Sequence, residues 1–402
     1  MNRRVILTVL IFCVTLFVPF SLFTQDFVLL GTVLAQYRGN AEHVTIPRGV
    51  TSIGNNAFAR CSDIKTITIP TSVTSIGNWA FFKCSSLTDI TIPASVISIG
   101  NSAFYECVSL TSINIPANIT SIEGYTFYEC RSLTNITIPT GVTSIERSAF
   151  RACSSLTSIT IPSSITLIGN SAFSLCDSLT SVTIPPSVIF IGDSAFSDCR
   201  NLTSITILTG VKYIGNWAFS ECSSFTNITI PSSVTHIGNI IFEGCGSLTD
   251  IIVDIQNPAY SSVEGVLFNK DRTVLVAYPP GRQESAYTIP EGVTSIGIGA
   301  FLGCNGLISI AIPASVTSIG NSAFSRCGSL TNITIPASVT FIGALTFLYC
   351  RSLTSIVIPA SVTSIGLSAF SRCDNLRTVV VSRRTAIGNN AFPEGAEIRY
   401  SD

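Results

Sequence analysis

The chain has 402 residues, only 11% of them charged, and Lys+Arg at 22 nearly balances Asp+Glu at 23. That balance leaves no electrostatic footprint for nucleic acid or for an anionic membrane surface. A hydrophobic fraction of 46% is enough for a large core, so Ser and Thr take over the solubilising work that charge usually does.

At the N-terminus Arg3 and Arg4 precede an apolar run from Val5 to about Leu22, the pattern of an export leader. The leader is set at residues 1–35, because Val33-Leu34-Ala35 is the best small-residue cleavage site. An uncleaved anchor is the rival, since about 18 apolar residues approach spanning length. Gln36 to His43 then reads as the edge of a folded domain over 36–402.

From there a fixed beat governs the chain. Cysteine falls at 61, 84, 107, 130, 153, 176, 199, 222 and 245, then at 304, 327, 350 and 373, with 23 residues between neighbours in each run. Phe stands three positions before each of these cysteines, and an Ile-Pro pair usually places its Pro fourteen before. A period of this size is the signature of a stacked solenoid.

The unit from Leu156 to Cys176 shows the parts. Ser158 to Ile161 alternates polar and β-branched residues, which is strand chemistry, and Pro162 ends the strand because it cannot donate to a ladder. Ile165 to Ile168 predicts a second, shorter strand broken by Gly169. Asn170-Ser-Ala-Phe173 then predicts a cap and a single helical or 3-10 turn. Leu156, Ile159, Ile161, Ile165, Ile168, Ala172, Phe173 and Cys176 are assigned inward, Ser158 and Thr160 outward. One unit buries about five large apolar side chains, worth roughly 10 kcal/mol gross. Ordering its backbone costs more, at about 1–2 kcal/mol per residue, so coils must stack to be stable.

The pattern L-x-x-I-x-I-P, V-x-x-I-G-x-x-A-F-x-x-C over residues 42 to 400 resembles the BspA-like leucine-rich-repeat family. The resemblance implies an α/β repeat solenoid: a curved parallel β-sheet with short second strands and helical or 3-10 turns. It also implies a cell-surface or secreted protein used in adhesion and protein binding, with no catalytic residues.

Evenly spaced cysteines in an exported chain invite a disulfide reading, but stacking opposes it. Equivalent Cβ atoms on parallel coils stay near the ladder spacing of about 4.8 Å, whereas a bridge wants roughly 3.8 Å. A column of small buried thiols is the expectation, and no metal site, since no C-x-x-C pair exists and His43 and His236 are isolated. With two histidines, no Gly-x-Ser-x-Gly elbow and scattered carboxylates, no enzyme activity and no cofactor are expected.

Two regions are candidate partner sites. The first is the outward hydroxyl row of the strand sheet, represented by Thr137, Thr160, Thr183 and Thr206. The second is the break in the beat between Cys245 and Cys304. Here Gly265-Val-Leu-Phe268, Asn269-Lys-Asp-Arg272 and Thr273 to Tyr278 predict strand, turn, strand: a hairpin over about 254–282, protruding from the solenoid and gathering Tyr260, Lys270, Arg272 and Tyr278. The alternative packs Val266, Leu267, Phe268 and Leu275 inward as scaffold. Beyond it, Glu397 to Tyr400 predicts a last strand whose charges guard the open edge.

These readings converge on a non-enzymatic surface or secreted protein mediating adhesion and protein–protein binding. A self-associating surface coat is the runner-up. The expected partner is a protein ligand such as a host matrix or plasma protein, with no nucleic acid, membrane contact only through the leader, and a monomeric state.

Overall fold

Each repeat bends three times, and each bend has its own cause. The computed structural model of the chain describes residues 26–401. After the first strand Pro ends the ladder and its carbonyl closes a turn, as Pro70 O does by accepting Val73 N at 3.1 Å. The first strands form one wall in exact coil-to-coil register, with Ser181 opposite Ser204 and Thr183 opposite Thr206. Along this wall, between Thr111 and Thr180, the contacts lengthen to 3.2–3.4 Å. There the strand expected at Ser158 to Ile161 is not paired, although Ile159 and Ile161 still point inward.

The Val-Thr-Ser-Ile pieces build a second wall of two-residue strands, such as Ser52–Ile53, Ser75–Ile76 and Ser98–Ile99, also in register. The following glycine does not act by conformational freedom, since Gly169 and Gly192 have no left-handed φ. What it supplies is room: a Cβ on Gly192 would stand 2.5 Å from the Asn170 nitrogen of the coil beneath.

The third wall corrects the expected helical turn, because the described residues contain no helix. Successive N–H groups alternate in direction. Asn56, Phe58 and Arg60 donate to Asn78, Ala80 and Phe82 of the next coil at 3.0, 2.7 and 2.6 Å, while Ala57 and Cys61 donate within their own coil. Two left-handed residues per coil, Asn56 (φ 58°) and Arg60 (φ 65°) in this case, produce the alternation. A helix would have turned every N–H back on its own chain.

Inside, the Phe column stacks ring on ring, with Phe58–Phe81, Phe150–Phe173 and Phe173–Phe196 centroids 5.2, 5.4 and 5.3 Å apart. Thirteen cysteines between 61 and 373 are free thiols. Apart from Cys304, which stands 3.8 Å from Tyr278 O, each buried thiol reaches the Phe carbonyl of the coil before it, as Cys84 Sγ does to Phe58 O and Cys153 Sγ to Phe127 O, both at 3.1 Å. Cysteine thus combines small volume with a weak donor for a carbonyl inside the core.

The ends are closed differently. Phe27–Leu30 and Val33–Tyr37 pair antiparallel, and Val33 and Leu34 then pair in parallel with Ser52 and Ile53. Leu34 is fully buried and Tyr37 stacks on Phe58 at 5.3 Å, so residues 27–35 are part of the folded stack. Cleavage after Ala35 would cut through that strand; the apolar run from Val5 to about Leu22 lies outside the described residues. At the other end Glu397–Tyr400 pairs with Thr378–Val381 and is exposed throughout, with Arg399 bonded to Glu397 at 2.9 Å.

The segment between the two runs of cysteine is not a protruding hairpin. Tyr260–Val263, Val266–Asn269 and Val274–Ala277 form an antiparallel trio, and the last of them joins the second wall by pairing Val274 with Ser295 and Leu275 with Ile296. Val266, Leu267 and Phe268 of its middle strand are buried because the strand divides two cores. Leu267 packs into the one before it, while Val266 and Phe268 pack into the one after it. The scaffold alternative is the one observed.

Candidate protein-binding surfaces

The row of strand threonines is the most regular exposed feature. Thr137, Thr160, Thr183 and Thr206 are all exposed. Other hydroxyl columns are consumed by the stack itself: Thr88 Oγ1 donates to Lys65 O at 3.2 Å and Thr203 Oγ1 to Thr180 O at 3.0 Å. Serines on the second wall bond to each other, as Ser52 and Ser75 do at 2.8 Å. Among the described residues the hydroxyls of Thr137, Thr160, Thr183 and Thr206 make no such side-chain bond, so they face solvent uncommitted. At Ile252 the row is apolar, and beyond the irregular segment it alternates as Thr288, Ala311, Thr334 and Val357.

The four residues proposed to meet in the irregular segment separate into different roles. Tyr278 is 2% exposed and occupies the Phe column, stacking on Phe301 at 5.3 Å, so its ring is not presented to a partner. Burial pushes its hydroxyl well above the ordinary tyrosine range, and that hydroxyl has no hydrogen-bond partner from the chain. Tyr260 is half-buried and its hydroxyl accepts Ile237 N at 2.9 Å. Lys270 is exposed, yet its ammonium donates to Asn257 O at 2.6 Å. Arg272 is exposed and lies at the tip of the turn.

The residue that anchors this segment was not singled out from sequence. Asn257 is fully buried, and its side chain donates to Pro231 O and Val234 O at 2.8 and 3.0 Å while accepting Ala259 N and Tyr260 N at 2.9 and 2.8 Å. All four of its hydrogen-bonding positions are filled, which is what makes a buried amide tolerable.

Two aromatic ladders were also missed, although the beat carries their signal. On the second wall the outward Ser position becomes Phe190, Tyr213 and His236, with centroids 4.6 and 6.1 Å apart. On the third wall Phe82, Tyr105 and Tyr128 replace small residues at one repeat position. Aromatic residues 23 apart, at positions that Ser holds in several other coils, mark both.

His43 Nδ1 lies 2.8 Å from Thr66 Oγ1 and His236 Nδ1 lies 3.2 Å from Thr235 Oγ1. Among the described residues no three His, Cys, Asp or Glu side chains gather to hold a metal ion. Burial raises the Cys61 thiol to about 11 and the deeper thiols further, so these cysteines stay protonated. No helix among the described residues is long and apolar enough to cross a membrane.

Comparison with known proteins places this geometry. The family model for the BspA type leucine rich repeat region matches residues 35–157, 143–264 and 283–398. A leucine rich cell surface protein from Faecalibacterium prausnitzii is 30% identical, with 94% of this chain and 93% of that one covered and a TM-score of 0.65. A leucine-rich repeat protein from Bacteroides ovatus is 29% identical over 92% of this chain and 94% of its own, with a TM-score of 0.53. The pneumococcal vaccine antigen PcpA, at 19% identity over 92% and 81% of the two chains and a TM-score of 0.53, shares the fold. No curated protein sequence matches the chain. With three stretches of one repeat model running almost end to end through a stack of 23-residue coils, the chain belongs to the BspA type leucine-rich-repeat family.

Proposed function

We propose that the chain is an exported adhesive protein that binds a protein ligand, such as a host matrix or plasma protein, through an outward face of its solenoid and without catalysis. The observation that carries this reading is the uncommitted hydroxyl row through Thr137, Thr160, Thr183 and Thr206, set on a scaffold whose relative is a cell surface protein. Such a row repeats one donor and acceptor about every 4.8 Å, suited to many weak contacts made together. The leader at Arg3, Arg4 and the following apolar run supports export.

The test is solid-phase binding of the chain to a panel of matrix and plasma proteins, alongside Thr160→Arg/Thr183→Arg. Saturable binding abolished by the double substitution places the ligand on the first wall. Saturable binding that persists moves it to another surface. Failure to bind any panel member overturns the adhesive reading. Deleting 255–280 is unsuitable as a variant, since it removes Leu267, Phe268 and Leu275 from the two cores. Lys270→Ala and Arg272→Ala probe the tip without touching them.

A further inference from the structure

On the third wall, the position after each core Phe is Ser in several coils: Ser174, Ser197 and Ser220 are 5, 8 and 5% exposed and complete the coil without strain. Other coils carry Ala59, Glu243, Leu302 or Leu348 there, and four consecutive coils carry Phe82, Tyr105, Tyr128 and Arg151. The fold does not require rings there, yet the rings form one connected block. Phe82–Tyr105 and Tyr105–Tyr128 centroids are 5.5 and 4.4 Å apart, Trp79 touches Phe82 and Tyr105 at 5.2 and 5.5 Å, and Tyr125 reaches Tyr128 at 6.0 Å. Trp79 is 38% exposed, and the other four rings are partly exposed.

Cations frame this block. Arg60 and Lys83 lie over Phe82 at 5.8 and 5.3 Å, Arg147 over Tyr125 at 5.9 Å and Arg151 over Tyr128 at 5.7 Å. Of the carboxylates near the patch, Glu106 is paired with Lys83 at 3.2 Å and Glu129 with Arg131, while Glu123 accepts the Ser121 hydroxyl and Glu146 stands next to Arg147 in sequence. Arg60, Arg147 and Arg151 form no ion pair among the described residues, and Arg151 Nε is buried without a hydrogen-bond partner. The guanidinium groups over the rings at the two ends of the patch are therefore outside any ion pair among the described residues.

Ring orientation selects the kind of partner. Tyr105 and Tyr128 stack within 8° of parallel, so each covers the other's face, and cations lie over Phe82 and Tyr128. What remains for a partner is ring edges and hydroxyls, which suit apolar side chains and hydrogen bonds but not the face-on stacking of a sugar. We propose that the Trp79–Tyr128 block, bounded by Arg60 and by Arg147 with Arg151, is a docking site for an extended acidic peptide segment of a protein ligand. Its apolar side chains cover the rings and its carboxylates meet the guanidinium groups at the two ends. Four coil steps at about 4.8 Å separate those ends, close to the reach of about six extended residues. Aromatic and Arg anchors in one cluster are the composition on which protein interfaces concentrate their binding energy. This site rests on reading the chain as a protein-binding surface.

The test is fluorescence anisotropy of the full chain with the labelled peptide Asp-Asp-Leu-Phe-Val-Leu-Glu-Glu, with its Lys-for-acid counterpart and a heparin oligosaccharide as comparison ligands. The acidic peptide should bind saturably. It should lose about tenfold or more in affinity in Tyr105→Ser/Tyr128→Ser and in Arg60→Glu/Arg147→Glu, while Trp217→Ser binds as wild type. Ser is the repeat's own residue at the first pair of positions, and thermal melting of each variant verifies its fold. The proposal is overturned by no saturation below about 1 mM, by unchanged affinity in either double variant, or by preferential binding of heparin that ignores the ring substitutions. If the peptide fails while matrix or plasma proteins still bind, only this site is lost and the adhesive reading stands.

Discussion

In the regular coils a side chain is held by its own equivalents one coil away. Phe173 lies between Phe150 and Phe196, Cys176 donates to Phe150 O, and Val182 sits beside Ile205. In the irregular segment no residue of the middle strand has such an equivalent. Val266, Leu267 and Phe268 are held by facing two different cores, and Asn257 by four hydrogen bonds to two neighbouring stretches. Repetition distributes stability over many nearest-neighbour contacts, whereas the irregular segment concentrates it in a few side chains. The two regions should therefore fail under different insults.

Alkali is the largest insult to the repeats and reaches them first, because the irregular segment has no cysteine between 246 and 303 and its burial-raised groups are the tyrosines Tyr260, Tyr278 and Tyr287, which titrate from a higher ordinary value. Burial raises the thiols of Cys84, Cys107, Cys130, Cys153, Cys176, Cys199, Cys222, Cys245, Cys304 and Cys327 above their ordinary value. A group whose folded pKa lies above the unfolded one stabilises the fold fully below the unfolded value, and that stability is lost as pH rises toward the folded value. Above roughly pH 8.5 each such thiol should withdraw about 1.4 kcal/mol per pH unit, so ten acting together bring unfolding on steeply. Urea midpoints measured from pH 7 to 10 should fall sharply above 8.5. A Cys153→Ala/Cys176→Ala variant should show a shallower decline, and an unchanged slope would break the account.

The next largest effect lies in the irregular segment. Phe268→Ala should cost about 3–5 kcal/mol and act on the second core alone. Both Trp79 and Trp217 precede the segment. Their fluorescence should keep its midpoint while circular dichroism resolves an earlier transition. Coincident shifts in both signals would mean that the two cores unfold as one. A regular coil offers a smaller contrast at glycine. Gly192→Ala puts a Cβ 2.5 Å from backbone and should cost about 1–3 kcal/mol, whereas Gly246→Ala, with nothing within 4 Å, should be neutral.

Where a residue's role depended on its equivalents, the sequence was readable. Phe, Cys and Pro announced the coil, the inward set from Leu156 to Cys176, and the strand at Glu397 to Tyr400, because a beat of 23 aligns residues that touch. The third wall was not readable. Its left-handed positions are held by Trp79, Glu106 and Leu175 as readily as by Gly299 and Gly303, so no residue type flags them. In the irregular segment Asn269 to Arg272 gave the turn correctly, since four polar residues separate two apolar runs. Tyr278 was grouped with Lys270 and Arg272 in a protruding hairpin even though it stands 23 residues before Phe301; the count resumes at Tyr278, not at Cys304. The candidate surfaces were half visible: the threonine row follows from strand alternation, but which hydroxyls the stack consumes depends on coil-to-coil distances.

Tyr278 also supplies the finest comparison, because it is a repeat position built with the wrong residue. Its N–H donates to Ala300 O at 2.7 Å, as Phe58 N does to Ala80 O, and its ring stacks on Phe301. The Cys304 thiol, however, stands 3.8 Å from Tyr278 O where other coils hold about 3.1 Å, and the hydroxyl is buried without a partner from the chain. A buried hydroxyl left unpaired costs about 1–3 kcal/mol, offset in part by the Arg282 guanidinium 5.5 Å above the ring. Tyr278→Phe restores the residue that the column uses elsewhere and should raise the urea midpoint by the equivalent of about 1 kcal/mol. A fall instead would mean that the hydroxyl is satisfied by water in the cavity of about 20 Å³ lined by Glu243, Tyr278 and Ala300. In that case the seam between the two cores is a hydrated joint, held by polar contacts that the regular coils do without.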